Sequence, residues 1–284
     1  MFLSMKAFSP ELFDCSIKKF IHCGSLSRRD ERTLDRLGIS SHSFDSKINK
    51  NSASPYVKYF TSGIFSKFEA FNQSDACNYS IWLDSDQLCL RELYGLVDSI
   101  NSDFFVVQSS ASSTNWDNFY SSEDSIRYIN RYIDDLAFAV DMNDVGISAG
   151  FFGVAPGDGA RRAYALSQRI FQDLQSVLLL PDQGVIQILM RECFQRISYL
   201  DGNIFAPHSK EWPLERLISA DHHRLPFFSH CYGQPKYWNG YDDYLWKYFY
   251  LQWLDLGGTP FARRYMLKSG LRNIIRKVFT AQAK

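Results

Sequence analysis

The run NYSIWLDSDQLCLREL, residues 78–93, sets two carboxylates, Asp84 and Asp86, on either side of one serine and directly after the apolar stretch Ser80-Ile81-Trp82-Leu83. A short apolar run followed by polar residues reads as a buried strand that delivers the two acids at its carboxyl end. In an open α/β sheet, ligands collect beyond that end. Like charges so close repel unless a cation lies between them. A turn beginning at Asp84 is expected to bring both acids to one ion. Hard divalent ions such as Mg²⁺ or Mn²⁺ prefer carboxylate and phosphate oxygens, so the pair suits a metal that also binds a pyrophosphate.

Working outward, strands and helices alternate. Residues 16–25, SIKKFIHCGS, read as a strand; a helix follows with Ser27 as N-cap, Asp30 at its positive end and Gly38 closing it. Residues 54–72 carry a helical apolar-aromatic pattern, broken around Ser62-Gly63. RELYGLVDSI reads as a helix, DFFVVQSS as a strand and residues 109–124 as a polar loop resembling an insertion. DVGISAGFFGVAP is strand-rich, and GARRAYALSQRIFQDLQSVL is an amphipathic helix. This alternation predicts an α/β domain with a mostly parallel central sheet.

The chain has 284 residues, 45% of them hydrophobic and 16% aromatic, enough to bury a substantial core. Lysine plus arginine and aspartate plus glutamate both number 31, so no global field draws the chain to nucleic acid, and none is expected as a partner. The six cysteines form no CxxC pair, which suits reduced thiols in the cytoplasm. Lys6 and Pro10 interrupt the start before a signal-type apolar core develops, and no run approaches the roughly 18 apolar residues of a membrane span. A soluble, or at most peripheral, protein is expected.

Residues 1–255 read as the main domain and 256–284 as a tail. Within the tail, Leu267, Leu271, Ile274, Ile275, Val278 and Phe279 fall on one helical face, beside seven Lys/Arg residues and no acid after Phe261. Such a basic amphipathic helix, residues 261–284, can lie on an anionic bilayer; a helix docked on its own domain is the alternative.

Two chemistries use a DxD pair after a strand: aspartyl phosphatases, in which the first acid is a nucleophile, and sugar-nucleotide transferases. Gln87-Leu88 after the second acid, deep in the chain, favours the transferase. WLDSDQLCLREL, ISAGFFGV, LPDQGVIQIL and HCYGQPKYW then occur in the order and approximate spacing of glycosyltransferase family 8, which residues 3–240 resemble. The most specific segment is His230-x-x-Gly233-x-x-Lys236-x-Trp238, similar to the family's HxxGxxKPW with Tyr237 in place of proline.

The resemblance implies a GT-A (Rossmann-like) nucleotide-diphospho-sugar transferase fold, with Asp84, Asp86 and His230 as ligands to Mn²⁺ (or Mg²⁺). It further implies that Lys236 contacts the diphosphate, that Gly233 lets backbone approach the phosphates, and that Lys67 reaches the donor. Asp182 and Gln183 match the family's DQ pair beside the transferred sugar. Ser148-Ala149-Gly150 stands where Asn-Ala-Gly or Asn-Ser-Gly is common, with serine replacing asparagine. The family's usual first strand, which helps hold the nucleotide, has no counterpart in the sequence, whose opening MFLSMKAFSP matches the helix after it.

The activity so implied is a metal-dependent, retaining hexosyl transfer from a nucleotide sugar, UDP-glucose or UDP-galactose, to a glycan or glycolipid acceptor such as lipopolysaccharide core. Gln183 is a weak nucleophile, so same-face attack by the acceptor is expected, with Asp182 as the alternative nucleophile. A non-catalytic nucleotide-sugar-binding protein is the second reading, and the phosphatase the third.

Overall fold

In a computed structural model of the chain, residues 1–44, 62–72, 77–109, 123–136, 145–213, 216, 220–232 and 243–260 are described. Two short helices, Phe2–Phe8 and Pro10–Cys15, lead into β1 (Lys18–His22), the helix Arg28–Arg36 and β2 (Ile39–Ser43), which pairs with β1 in parallel. The expected β–α step is realised in detail. Ser27 accepts a hydrogen bond from the Asp30 amide at the helix start, and Gly38 turns the chain out at φ 67°.

A 3-10 helix, Ser62–Phe71, precedes β3 (Ser80–Leu83) and β4 (Gln87–Cys89); β5 (Phe104–Gln108), β6 (Ile147–Val154), β7 (Ile197–Leu200) and β8 (Phe228–His230) follow. Four of these form the central sheet in the order β3-β6-β5-β7. β5 and β7 are parallel, while β6 runs antiparallel to both β3 and β5. Three strands of the four therefore share one direction, and the reversed strand sits between two of them. β1 and β2 form a sheet of their own and, among the described residues, pair with no strand of the central one.

Strand alternation splits the apolar residues between two faces. Phe104, Val106 and Phe152 join Phe65, Phe71 and Phe171 on one side. Phe105, Val107 and Phe151 join Leu93, Phe205 and Phe228 on the other. The helix Asp158–Leu174 covers the first side through Ala160, Ala163, Ser167, Ile170, Phe171 and Leu174, the spacing of one helical face.

Two irregularities shape the site. Between Val106 and Val107 the β5 register jumps from Phe152 to Ser148, so Ala149, Gly150 and Phe151 have no ladder partner on β5. Beyond β3 the chain makes the expected turn, closed by a hydrogen bond from the Gln87 amide to the Asp84 carbonyl at 3.2 Å. It then runs as β4 against β8, with Gln87 opposite His230, Leu88 opposite Ser229 and Cys89 opposite Phe228. The N-terminal helices brace this turn's exit: the Cys89 amide donates to Ser4 Oγ at 2.9 Å and the Leu93 amide to Ser9 Oγ at 3.0 Å.

The helix Tyr244–Asp255 packs Phe249 against Leu88 and Cys231. Immediately after it, Arg36 donates to the Leu256 carbonyl at 2.9 Å and the Thr259 amide to Asp30 at 2.7 Å. The start of the expected 256–284 tail is thus docked on the helix Arg28–Arg36. Residues 261–284 lie outside the described residues, as do residues 54–61 of the 54–72 segment and 110–122 of the 109–124 segment. No helix among the described residues is long and apolar enough to cross a membrane.

Candidate functional site

A cavity of about 1670 Å³ opens along the β3 edge, and Lys67, Asp84, Asp86, Asp182, Gln183 and His230 are all on its wall. Asp84 leaves β3 with its amide donating to the Gly150 carbonyl at 2.8 Å, which ties the turn to the unpaired part of β6. Trp82 Nε1–H donates to Asp84 Oδ1 at 2.7 Å, and Lys67 Nζ lies 3.1 Å from Oδ2. Asp86 and His230, each 5% exposed, face one another with Nε2 3.4 Å from Oδ1. The His230 amide donates to the Pro207 carbonyl at 3.1 Å, and the Cys231 amide to the Asp86 carbonyl at 2.9 Å.

The donor atoms of Asp84, Asp86 and His230 all lie within 4.8 Å of one another. Two carboxylate oxygens from neighbouring acids and an imidazole nitrogen from a position remote in sequence match the donor set of a Mn²⁺-like dication that keeps further positions for phosphate oxygens. The three residues therefore fit the implied ion.

Charge in the cleft is shared through Lys67, whose Nζ also lies 2.6 Å from Asp182 Oδ2. Burial alone would push this ammonium down, but Asp182 and Asp84 together outweigh it and hold the lysine above its usual value. Asp84 is displaced upward: burial comes first, and the neighbouring Asp86 adds to it, together exceeding the opposing pull of Lys67. Its side chain still keeps 21% exposure, toward the cavity, so the penalty is that of a cleft and not of a dry interior. A cation at this spot would relieve both causes.

The other expected residues divide by what they present. Gln183 Oε1 accepts from the Ala149 amide at 3.1 Å, and Lys67 donates to the Ala149 carbonyl at 3.3 Å. Ala149, buried, thus acts through its backbone on two cleft residues, whereas Ser148 and Gly150 reach the wall themselves. Gly150 makes room: a Cβ there would come 2.5 Å from Gln87 Nε2 and 2.8 Å from His230 Cε1. Asp182 and Gln183 open the helix Pro181–Cys193. Gly233 and Lys236 lie outside the described residues.

Sequence reasoning gave no site role to Trp82, Gln87, His208 or Tyr232. His208 is on the cavity wall, bridges to His230 in the chain pairing and sets its ring edge-on to Tyr232, 4.5 Å between centroids at 86°. Its Nε2–H donates to the Tyr232 carbonyl at 3.1 Å, and Nδ1 accepts from the Lys210 amide at 3.0 Å, which fixes a neutral tautomer. Burial, first, lowers its pKa. Gln87 alone had a local signal, its place beside Asp86; Trp82 is recognisable only through its contact with Asp84, and His208 and Tyr232 only once they are gathered around His230.

No family model matches the chain, and no curated protein matches it significantly. Solved structures do. The chain superposes on the galactosyltransferase LgtC in complex with donor and acceptor sugar analogs with a TM-score of 0.59 at 14% identity, covering 94% of this chain and 93% of that one. An active-site mutant of LgtC, glutamate for glutamine, gives 0.58 at 14% identity over 93% and 92%. The apo structure of the bifunctional glycosyltransferase WbbM gives 0.53 at 14% identity, over 87% of this chain and 45% of WbbM. At this identity the likeness is one of fold: the chain has the α/β architecture of GT-A glycosyltransferases.

Proposed function

We propose that the chain is a metal-dependent glycosyltransferase that moves a hexose from a nucleotide sugar, UDP-glucose or UDP-galactose, to a hydroxyl of a glycan or glycolipid with retained configuration. The observation that carries this reading is the convergence of Asp84, Asp86 and His230 within 4.8 Å on the wall of a large cavity, in a fold shared with LgtC. Those three residues would hold Mn²⁺ or Mg²⁺, which when bound supplies positive charge to a departing diphosphate.

The chain's own groups supply the rest. Asp84 and Asp86 are held by Trp82, Lys67 and backbone, so the ligand geometry is set before substrate arrives. Gly233 and Lys236 are assigned to the diphosphate side, where an ammonium offsets leaving-group charge. Asp182 is bound to Lys67 at 2.6 Å, which blunts it as a nucleophile. That favours attack by the acceptor on the same face of the sugar, with Gln183 steadied against the Ala149 amide beside the reacting carbon. LgtC also has an active-site glutamine, the one altered in its mutant structure. Ser148 and Gly150 line the donor side. The 261–284 segment is assigned to contact with a membrane-borne acceptor at the cytoplasmic face.

The test is release of UDP from UDP-glucose and UDP-galactose with Mn²⁺, with and without a panel of sugar acceptors. Asp86→Ala and His230→Ala should each lower turnover by at least about 100-fold. Unchanged rates in both would reject the assignment, and nucleotide-sugar binding with neither transfer nor hydrolysis would mark a binding protein instead.

A further inference from the structure

Gln87 is fully buried, and among the described residues its Oε1 has no hydrogen-bond partner. Leaving an amide half-satisfied in the interior costs about 1–3 kcal/mol, so its presence in a three-residue strand otherwise built of Leu88 and Cys89 calls for a reason. Its other end supplies one. Gln87 and His230 stand directly opposite in the β4–β8 ladder, and the amide Nε2 lies 3.2 Å from His230 Nδ1.

We propose that Gln87 is the positioning residue that sets which nitrogen of His230 carries the hydrogen, and thereby whether Nε2 is free to bind a cation. This rests on the metal-site reading above. An imidazole ligates through a nitrogen that has no hydrogen, so Nε2, the atom facing Asp86 at 3.4 Å, can ligate only when the hydrogen is on Nδ1.

A primary amide can meet either state. With its NH₂ toward the ring it donates to a bare Nδ1, and the ring's own hydrogen points to Asp86. After a half-turn its oxygen accepts from Nδ1–H, and Nε2 is open to the ion. Oε1, unmatched in the first state, is the acceptor the second state needs.

The room for this pair is provided on purpose by Gly150, whose missing side chain would otherwise meet both partners. Outer hydrogen bonds of this kind orient ligating histidines, and their loss typically weakens metal binding about 10–100-fold.

The variants separate the roles. Gln87→Met keeps the volume but neither donates nor accepts, and should weaken Mn²⁺ binding, read by the electron paramagnetic resonance of free Mn²⁺, at least about 10-fold. Gln87→Glu, which only accepts, should bind at least as tightly as the unaltered protein. In parallel, ¹⁵N spectra of histidine-labelled protein with Mg²⁺ should place the His230 hydrogen on Nδ1.

Mn²⁺ affinity in Gln87→Met within twofold of the unaltered protein, or a His230 hydrogen on Nε2 in the Mg²⁺-loaded form, overturns the proposal. If Gln87→Met does not fold, Gln87→Glu carries the test: a metal-free His230 hydrogen on Nε2 in that variant, whose residue 87 can only accept, overturns the proposal. Metal-free spectra separate the two readings: a His230 tautomer that changes between the unaltered protein and Gln87→Met upholds the role of Gln87 even where no Mn²⁺ binds, whereas absent Mn²⁺ binding alone rejects the metal site.

Discussion

Lys67 reaches Asp182 across the cleft at 2.6 Å and so joins the 3-10 helix Ser62–Phe71 to the start of the helix Pro181–Cys193 through one ion pair. Both side chains are nearly buried, at 10% and 13% exposure. Removing one charge leaves the other stranded, and breaking a buried pair costs about 3–5 kcal/mol. Lys67→Met should therefore destabilise the fold by about 3 kcal/mol in equilibrium urea unfolding, and adding Asp182→Asn should restore part of the loss. A single substitution that leaves the midpoint unmoved would show the pair to be idle. Because the lysine is held above its ordinary value, its own contribution is complete below about pH 10.4 and fades only as pH rises through the higher folded value.

The opposite sign is expected at the far end of the sheet. Arg196 donates twice to Asp103 Oδ1, at 2.7 and 3.1 Å, and its amide donates to Oδ2 at 3.1 Å, which clamps the starts of β5 and β7. Arg196, foremost, holds the Asp103 carboxyl below the usual range. The stability it lends is present above the unfolded value of about 3.9 and is lost as pH falls through the lower folded one. Asp103→Asn should lower stability at neutral pH and leave a shallower loss on acidification below about pH 4, followed by circular dichroism. An acid limb identical to that of the unaltered protein would refute the coupling.

Gly150→Ala forces a methyl group against Gln87 and His230. Inserting bulk into a packed site costs about 1–3 kcal/mol. The strain falls on the ligand side of the cleft, so Mn²⁺ affinity measured by calorimetry should drop along with the thermal midpoint. Full Mn²⁺ affinity in Gly150→Ala would mean that the histidine has slack that the geometry does not show.

Thiol chemistry should follow exposure. Cys15 and Cys23 are exposed, while Cys89 and Cys231 are buried. Burial pushes the Cys89 thiol up to about 12 and the half-buried Cys193 thiol up to about 11, so few of either are thiolates near neutrality. An aromatic disulfide reagent at pH 8 should modify Cys15 and Cys23 first and reach Cys89 only after denaturant is added. Mass mapping that finds Cys89 among the first sites would contradict the packing of β4.

Much of this arrangement could be read from the chain. Ser27, Asp30 and Gly38 announced a helix and its limits because capping depends on local chemistry alone. The turn at Asp84 followed from two acids after an apolar strand. The reversal of β6 was not legible: Ile147–Val154 is apolar nearly throughout, and a strand buried on both faces carries no mark of its direction. Gln87 and Trp82 looked like flanking residues, since their tasks arise from a pairing with β8 and a contact back to Asp84 that local pattern cannot encode. Lys67 was expected to reach a donor molecule, and its grip on Asp84 and Asp182 depends on how a helix far upstream is laid over the sheet.

The short ladder between β4 and β8 also imposes an order in time. Gln87 and His230 are 143 positions apart, an interval that a ribosome adding about 5–20 residues per second needs roughly 7–30 s to cross. Throughout that interval the nascent polypeptide has both acids and the amide but not the His230 imidazole, so the three donors cannot come together until the chain has been made through β8.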